Sequence, residues 1–282
     1  MRAADQKGIA ILSALGVLVI LGLLSSVFLA HVRLEAAYAA RDAQQLKAHY
    51  LAVAGVQDAI ARLKADSSLV DAYTDGWWLG SSPEATLLGE GGYTVTVTDE
   101  SARINIVNAS PQILSAILGS DKEALAAIVS YRSANRLFAI EDLHAADLGA
   151  DPFSRVSTLG TTLGDGKVNI NTANADVVAA LPGMDPEAAQ MVIGFRKGAD
   201  GVEGTEDDFV FAASRDLAKV PGLKRVRTAP VIPVIKVNSN IFRVEAVGSI
   251  HKGAQTVSNR KVTAVLRRDD TQTVRVISWE GS

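Results

Sequence analysis

Lys7-Gly8-Ile9-Ala10-Ile11-Leu12-Ser13 opens an apolar run that continues to Ala30, and between Ile9 and Ala30 there is no charged side chain. At about 1.5 Å per residue, 9–30 makes a helix of roughly 33 Å, enough to cross the hydrocarbon core of a bilayer. Residues 1–8 form a short leader carrying Arg2, Asp5 and Lys7. A secretory signal peptide has a shorter apolar region followed by a small-residue cleavage site, and Ala30-His31-Val32-Arg33 is a poor one. The run is therefore expected to stay on the protein as an anchor. Charge alone does not orient it: Arg2 and Lys7 precede the run, while Arg33, Arg41 and Lys47 follow it.

Beyond the anchor about 250 residues remain, enough for one large or two modest cores. The 282-residue chain is 48% hydrophobic with a net charge of −3. Slight acidity argues against a partner held by broad positive potential, nucleic acid above all. The absence of cysteine excludes disulfides, zinc thiolate sites and thiol catalysis.

From 32 to about 65 the helix is expected to continue and become amphipathic. Its apolar positions are Leu34, Tyr38, Leu46, Tyr50, Val53, Val56, Ile60 and Leu63, mostly three or four apart. Asp66-Ser67-Ser68 ends the pattern. Trp77-Trp78 lies in a Gly/Ser/Pro-rich loop, where paired indoles are expected to cover a core. Tyr93, Val95 and Val97 alternate with threonines, the signature of a half-buried strand. The alternation returns only at 241–247, 258–268 and 274–279. One antiparallel sheet interrupted by an inserted domain is the natural explanation. The expected class is α+β: residues 31–104 and 241–282 form a helix-and-sheet domain around an all-helical insertion at 105–240.

The insertion repeats itself at an offset of 64 residues. Asn105-Ile106 matches Asn169-Ile170, Ala109 matches Ala173, and Gly119 matches Gly183. Asp121, Glu123 and Ala124 fall on Asp185, Glu187 and Ala188, and Tyr131-Arg132 falls on Phe195-Arg196. The copies occupy about 105–160 and 169–230. Ser110-Pro111 and Asn174-Ala175-Asp176 open helices, and Asp185-Pro186 caps and starts another. Leu181-Pro182-Gly183-Met184 and Val220-Pro221-Gly222-Leu223 resemble the turns of helix-hairpin-helix units, which present backbone N–H groups to DNA phosphates. Lys219, Lys224, Arg225 and Arg227 are the one basic cluster. Asp176, Asp185 and Glu187, which surround the Leu181 turn, would repel phosphate. A packing module is the favoured reading and a membrane-anchored DNA-uptake protein the alternative.

The second copy carries about ten extra residues around 198–208, where Asp200, Glu203, Glu206, Asp207 and Asp208 alternate with Gly198, Gly201 and Gly204. Five carboxylates and three glycines in eleven residues suit oxygen ligation of calcium, the competing reading being a solvated acidic turn. The spacing is not that of an EF-hand. For catalysis no set emerges: His31, His49, His144 and His251 are scattered, and Asp99-Glu100 reads as a solvated or loop-capping pair. The chain is expected not to be an enzyme.

In their order along the chain these features resemble the K family of minor pseudopilins of type II secretion systems. The resemblance rests on Gly8-Ile9, on Ala54-Gly55-Val56 with Ala59, and on Thr98-Asp99-Glu100-Ser101-Ala102-Arg103-Ile104-Asn105. It continues through Val168-Asn169-Ile170-Asn171-Thr172-Ala173 and Ala180-Leu181-Pro182-Gly183 to Trp279-Glu280. It implies a pilin-like domain interrupted by helical, SAM-like units. By the same resemblance, residues 1–8 are a prepilin-type leader cut between Gly8 and Ile9 by prepilin peptidase. It also implies calcium binding, partnership with minor pseudopilins I and J and the major pseudopilin, and an inner-membrane anchor with the bulk in the periplasm. Ser13 becomes the fifth residue of the cut chain, where most pilin-like subunits carry a glutamate that pairs with a neighbour's amine. A buried charge without a partner is costly, so Ser13 fits a subunit that initiates or caps the fibre.

Overall fold

A single helix, α1 (Arg2–Ala65), carries the apolar run into the body of the protein. The computed structural model describes residues 2–79, 85–253, 255–269 and 273–281, with 2–10, 79 and 225–226 described by backbone alone. The chain continues through α2 (Gly76–Leu79), β1 (Thr86–Leu88), β2 (Gly91–Asp99), β3 (Ile104–Asn105), α3 (Pro111–Ile117), α4 (Lys122–Ala134), α5 (Ala150–Leu159) and β4 (Gly160–Thr161). Then come β5 (Val168–Asn169), α6 (Ala175–Ala179), α7 (Pro186–Arg196), α8 (Arg225–Thr228), β6 (Ile235–Lys236), β7 (Ile241–Lys252), β8 (Gln255–Arg268) and β9 (Val274–Gly281).

Of the apolar positions expected along this helix, Val53, Val56, Ile60 and Leu63 pack on the core, and alanines complete the face. Ala48, Ala52, Val56, Ala59 and Leu63 are buried, whereas Leu34, Tyr38, Leu46 and Tyr50 are exposed. The reason is the closeness of the sheet. A Cβ on Gly248 would fall on the backbone of Ala48 and Ala52, and one on Gly55 would lie 3.0 Å from Ala246, Tyr93 and Val95 side-chain atoms. At these closest approaches, beside Ala48 and Ala52, larger side chains would push helix and sheet apart.

Five antiparallel strands form the sheet in the order β1-β2-β7-β8-β9. Val97 pairs with Val244 and Val244 with Ala264, so one face of three strands presents its apolar residues to α1. Trp77 is fully buried edge-on against Phe242, with centroids 5.1 Å apart, and so covers this core as expected.

Between β2 and β7 the chain builds two copies of one unit. The expectation of an all-helical insertion needs correction, because each unit closes with a short parallel ladder. Ile104-Asn105 pairs with Gly160-Thr161, and Val168-Asn169 pairs with Ile235-Lys236. The cause lies in the asparagines. Asn105 Oδ1 accepts from Val107 N–H and Asn169 Oδ1 from Asn171 N–H, each at 3.0 Å. These side-chain turns end each ladder after two residues and direct the chain towards the first helix. The 64-residue displacement extends to atomic detail. Arg132 Nη1 donates to the carbonyls of Ile106 (3.1 Å) and Ala109 (2.7 Å), and Arg196 Nη1 donates to those of Ile170 (3.0 Å) and Ala173 (2.8 Å). Ser110 and Asn174 cap α3 and α6, while Asp121 and Asp185 cap α4 and α7. Both units share one apolar core, from Ile106 and Leu114 to Phe211 and Leu217, distinct from the core beneath α1.

Candidate functional site

Two features of this fold are candidates for function: the uncovered stretch of α1, and the polar seam joining the two cores. Every side chain from 11 to 43 of α1 is exposed, a stretch of about 50 Å. Ile11, Leu12, Leu18, Leu24, Val27 and Phe28 are each more than half exposed. The helix is long and apolar enough to cross a membrane, and its apolar window is wholly uncovered. Water does not tolerate such a surface, so lipid or other apolar helices must cover it. Ser13 lies on this exposed stretch. Gly8 and Ile9 lie in the first turns of α1, within the residues described by backbone alone.

Where the two cores meet, the contacts turn polar. Asp99 ends β2, where the chain leaves the sheet, and is only 3% exposed. Its carboxylate accepts from Ser101 N–H at 2.7 Å, from Asn169 Nδ2 at 3.1 Å, and from the hydroxyls of Thr172 and Ser239. Asn169 Nδ2 also reaches Asp71 O (3.0 Å) and Ser239 Oγ (2.9 Å), while Ser239 N–H donates to Asp71 Oδ2 (2.6 Å). Arg268 closes the knot, donating to Asp71 and to Asp66 at 2.8 Å. The exit from β2, the start of the second unit, the return towards β7 and the connection after α1 are thus tied at one buried point.

Electrostatics follow from that burial. Loss of solvent pushes Asp99 upward against its four hydrogen bonds. Burial likewise pushes Asp71 up to about 6, opposed by the nearby Arg268 guanidinium. Carboxylate oxygens of Asp66, Asp71 and Asp75 lie within 4.8 Å of one another, and the cation serving Asp66 and Asp71 is Arg268 itself. The expectation that Asp99-Glu100 is solvated is corrected: both are buried, and only the loop-capping role of Asp99 holds. Glu100 forms a second seam, accepting from Arg243 Nε at 2.6 Å and Thr161 Oγ1 at 2.7 Å.

The acidic loop lies beside this junction through Arg196. That arginine, 4% exposed, binds Glu203 and lies over the Tyr73 ring at 5.3 Å. Tyr73 in turn donates its hydroxyl to Thr172 O at 2.6 Å. Asp200 Oδ1 accepts from Val202 N–H, Asp208 Oδ2 from Gly204 N–H, and Asp207 Oδ2 from the N–H groups of Ala199 and Asp200. The Thr205 hydroxyl and those two N–H groups hold Asp207 below the usual carboxylate range. Asp200, Asp207 and Asp208 thus turn carboxylate oxygens onto the backbone of their own loop and keep spare lone pairs, but among the described residues no three acidic side chains of 198–208 converge on one point as those of Asp66, Asp71 and Asp75 do. Glu206 sits on the same exposed loop, and Glu203 turns inward to the arginine.

Each Pro-Gly turn packs against the segment that follows the other. A Cβ on Gly183 would lie 2.7 Å from Pro230 and 2.9 Å from Arg227 O, and one on Gly222 would lie 3.5 Å from Met191. Arg227 is paired with Asp185 and Lys219 with Asp216. Two of the four cations that a phosphate would need are thereby neutralised; Lys224 is exposed, and Arg225 is described by backbone alone.

No family model matches the chain, and no curated protein matches it. Among solved structures it is similar to one chain of the GspK-GspI-GspJ complex of the type 2 secretion system from enterotoxigenic Escherichia coli. The similarity covers 89% of this chain and 99% of that one, with a TM-score of 0.61 and 12% identity. The long helix on an antiparallel sheet is therefore a pseudopilin-like fold.

Proposed function

We propose that this chain is a minor pseudopilin of a type II secretion system, placed at the tip of the periplasmic fibre. The observation that carries the reading is the matching fold over nearly the full length of both chains, in a structure whose partners are other pseudopilins. The uncovered apolar α1 supports it, because a helix with no internal cover is built for lipid and then for a bundle of like helices. In this account prepilin peptidase cuts after Gly8, Ile9 becomes the first residue, and the chain stands in the inner membrane with its bulk in the periplasm. Minor pseudopilins I and J are its neighbours, and the major pseudopilin lies below.

Its place at the tip is supported by where the insertion leaves the fold. Asp99 and Ser239 join the knot that holds Asp66, the residue just after α1, so both units grow from the end farthest from the apolar run. Such bulk leaves room for subunits below but not above. Ser13 agrees, since a subunit with nothing above it gains from lacking a buried charge. Calcium is part of the proposal: Asp200, Asp207 and Asp208, with Glu206, would hold it, and its charge would neutralise and stiffen the loop. Glu203 would stay with Arg196 and link the loop to the junction.

The test is purification of the tagged full-length chain from detergent-solubilised membranes containing the minor pseudopilins I and J of its own system. Stoichiometric recovery of both is the expected result, and recovery of neither would overturn the reading.

A further inference from the structure

The two edges of the five-stranded sheet are unlike. At one edge β1 is three residues long, the short kind of strand that offers little to pair with. At the other, β9 runs for eight residues without proline or lysine and pairs only with β8. Among the described residues its outer backbone groups make no other backbone hydrogen bond. One irregularity interrupts it, the unpaired Ile277 between the Val265–Ser278 and Leu266–Val276 pairs. That bulge keeps Val276 and Trp279 on the α1 side of the sheet, opposite the buried Leu266 and Ala264. Both are 40% exposed or more, because α1 does not reach over β9 fully. Arg275, held only loosely by Asp269 at 3.8 Å, and Glu280 bracket this apolar pair on the opposite face.

A row of free N–H and C=O groups is complemented by another strand and by nothing else so completely. We propose that β9 is a docking edge that takes up an extended strand of a neighbouring subunit, continuing the sheet antiparallel. The charges state the chemistry of that strand: an acidic residue beside Arg275, a basic one beside Glu280, and apolar residues against Val276 and Trp279. A second copy of this chain is the wrong occupant. Helix α1 runs against the direction of β7, with Ala48 near Gly248 and Asp66 near Arg268, and therefore against β9 as well. A two-fold pairing of β9 with β9 would turn the second helix around and point its apolar end away from the membrane. The occupant is a different helix-and-sheet subunit anchored in the same membrane.

This inference rests on the assembly reading above, and its test separates the two. Because the chain has no cysteine, single-cysteine variants of the full-length protein can carry a benzophenone maleimide in assembling membranes. The positions are Ser278→Cys on β9, Leu87→Cys on the opposite edge and Tyr38→Cys on the uncovered helix, all exposed. Irradiation is expected to join Ser278→Cys to an edge strand of another pseudopilin, at a yield at least fivefold above that from Leu87→Cys. Tyr38→Cys is expected to join to a partner helix. Reversing both charges, Arg275→Glu with Glu280→Lys, is expected to lower the Ser278→Cys yield about fivefold and leave that of Tyr38→Cys unchanged. Adducts from Tyr38→Cys with none from Ser278→Cys, or a Ser278→Cys adduct to a second copy or to a helix, would overturn the docking edge alone. Absence of adducts from both positions would overturn the assembly reading and the docking edge with it.

Discussion

The two copies of the inserted unit share their arginine clamp and their helix caps, yet spend the same asparagine differently. In the first copy Asn105 Nδ2 donates to the carbonyls of Leu163 and Gly164, within the unit's own closing loop. In the second, Asn169 Nδ2 donates outward to Asp71, Asp99 and Ser239, and so grips the helix-and-sheet body. The arginines divide likewise: Arg196 is buried with Glu203 beside it, while Arg132 is only partly buried. The asparagine thus closes the first copy on itself and docks the second, the first meeting the body through Thr161 and Glu100 instead. An identical residue closes a loop in one place and joins two cores in the other.

Breaking the docked copy at its centre is expected to cost most. Asp99→Ala removes the acceptor of the Ser101 N–H and of the Thr172 and Ser239 hydroxyls, leaving three buried donors unpaired, and should destabilise the detergent-solubilised chain by about 3–5 kcal/mol. Denaturant titration followed by Trp fluorescence measures it, and a loss under about 1 kcal/mol would mean that the knot does not hold the cores together.

The next effect is one of pH. The folded pKa of Asp71, about 6, lies above its ordinary value of 3.8, so the folded state retains a proton that the unfolded chain has lost. That contribution is fully present below pH 3.8 and is lost as pH rises through 6. It amounts to at most about 3 kcal/mol for a shift of about two units. Melting curves across this window should show the wild type losing more stability with rising pH than Asp71→Asn. Parallel curves would remove Asp71 as their cause.

Comparing Asn169→Ala with Asn105→Ala sharpens the contrast directly. The first is expected to cost about 2–3 kcal/mol and to split the melt into two steps as the cores uncouple. The second should cost about 1 kcal/mol and leave one step. Equal costs with unchanged cooperativity would show the copies to be equivalent. The smallest effect concerns the acidic loop, which the first copy lacks. Chelation is expected to lower the melting temperature by a few degrees, and Asp200→Asn with Asp207→Asn should abolish that response. A melting temperature indifferent to chelator would remove calcium from the account.

Much of this was legible in the sequence, and the rest was hidden for identifiable reasons. The long helix, the threonine-alternated strand and the 64-residue repeat are signals of period, and period survives any fold. The packing face of α1 is half legible from its bulky residues: Val53, Val56, Ile60 and Leu63 lie on it, while Leu34, Tyr38, Leu46 and Tyr50 do not. Ala48, Ala52, Gly55 and Ala59, three or four apart, were the true signal of a closely approaching sheet. The knot is hidden because its members are 202 residues apart at the extremes, from Asp66 to Arg268, and a buried aspartate looks like a solvated one in a string of letters. One clue was present: Asn-Ile opens both copies, and an asparagine repeated at a strand end marks a side-chain turn.

The claim that this chain is an assembling secretion subunit is tested most directly by deleting its gene in the source bacterium and measuring the exported proteins in the medium. The account predicts that export stops and is restored by the wild-type chain in trans. Unchanged export, with loss of DNA uptake instead, would contradict it and favour the helix-hairpin-helix alternative.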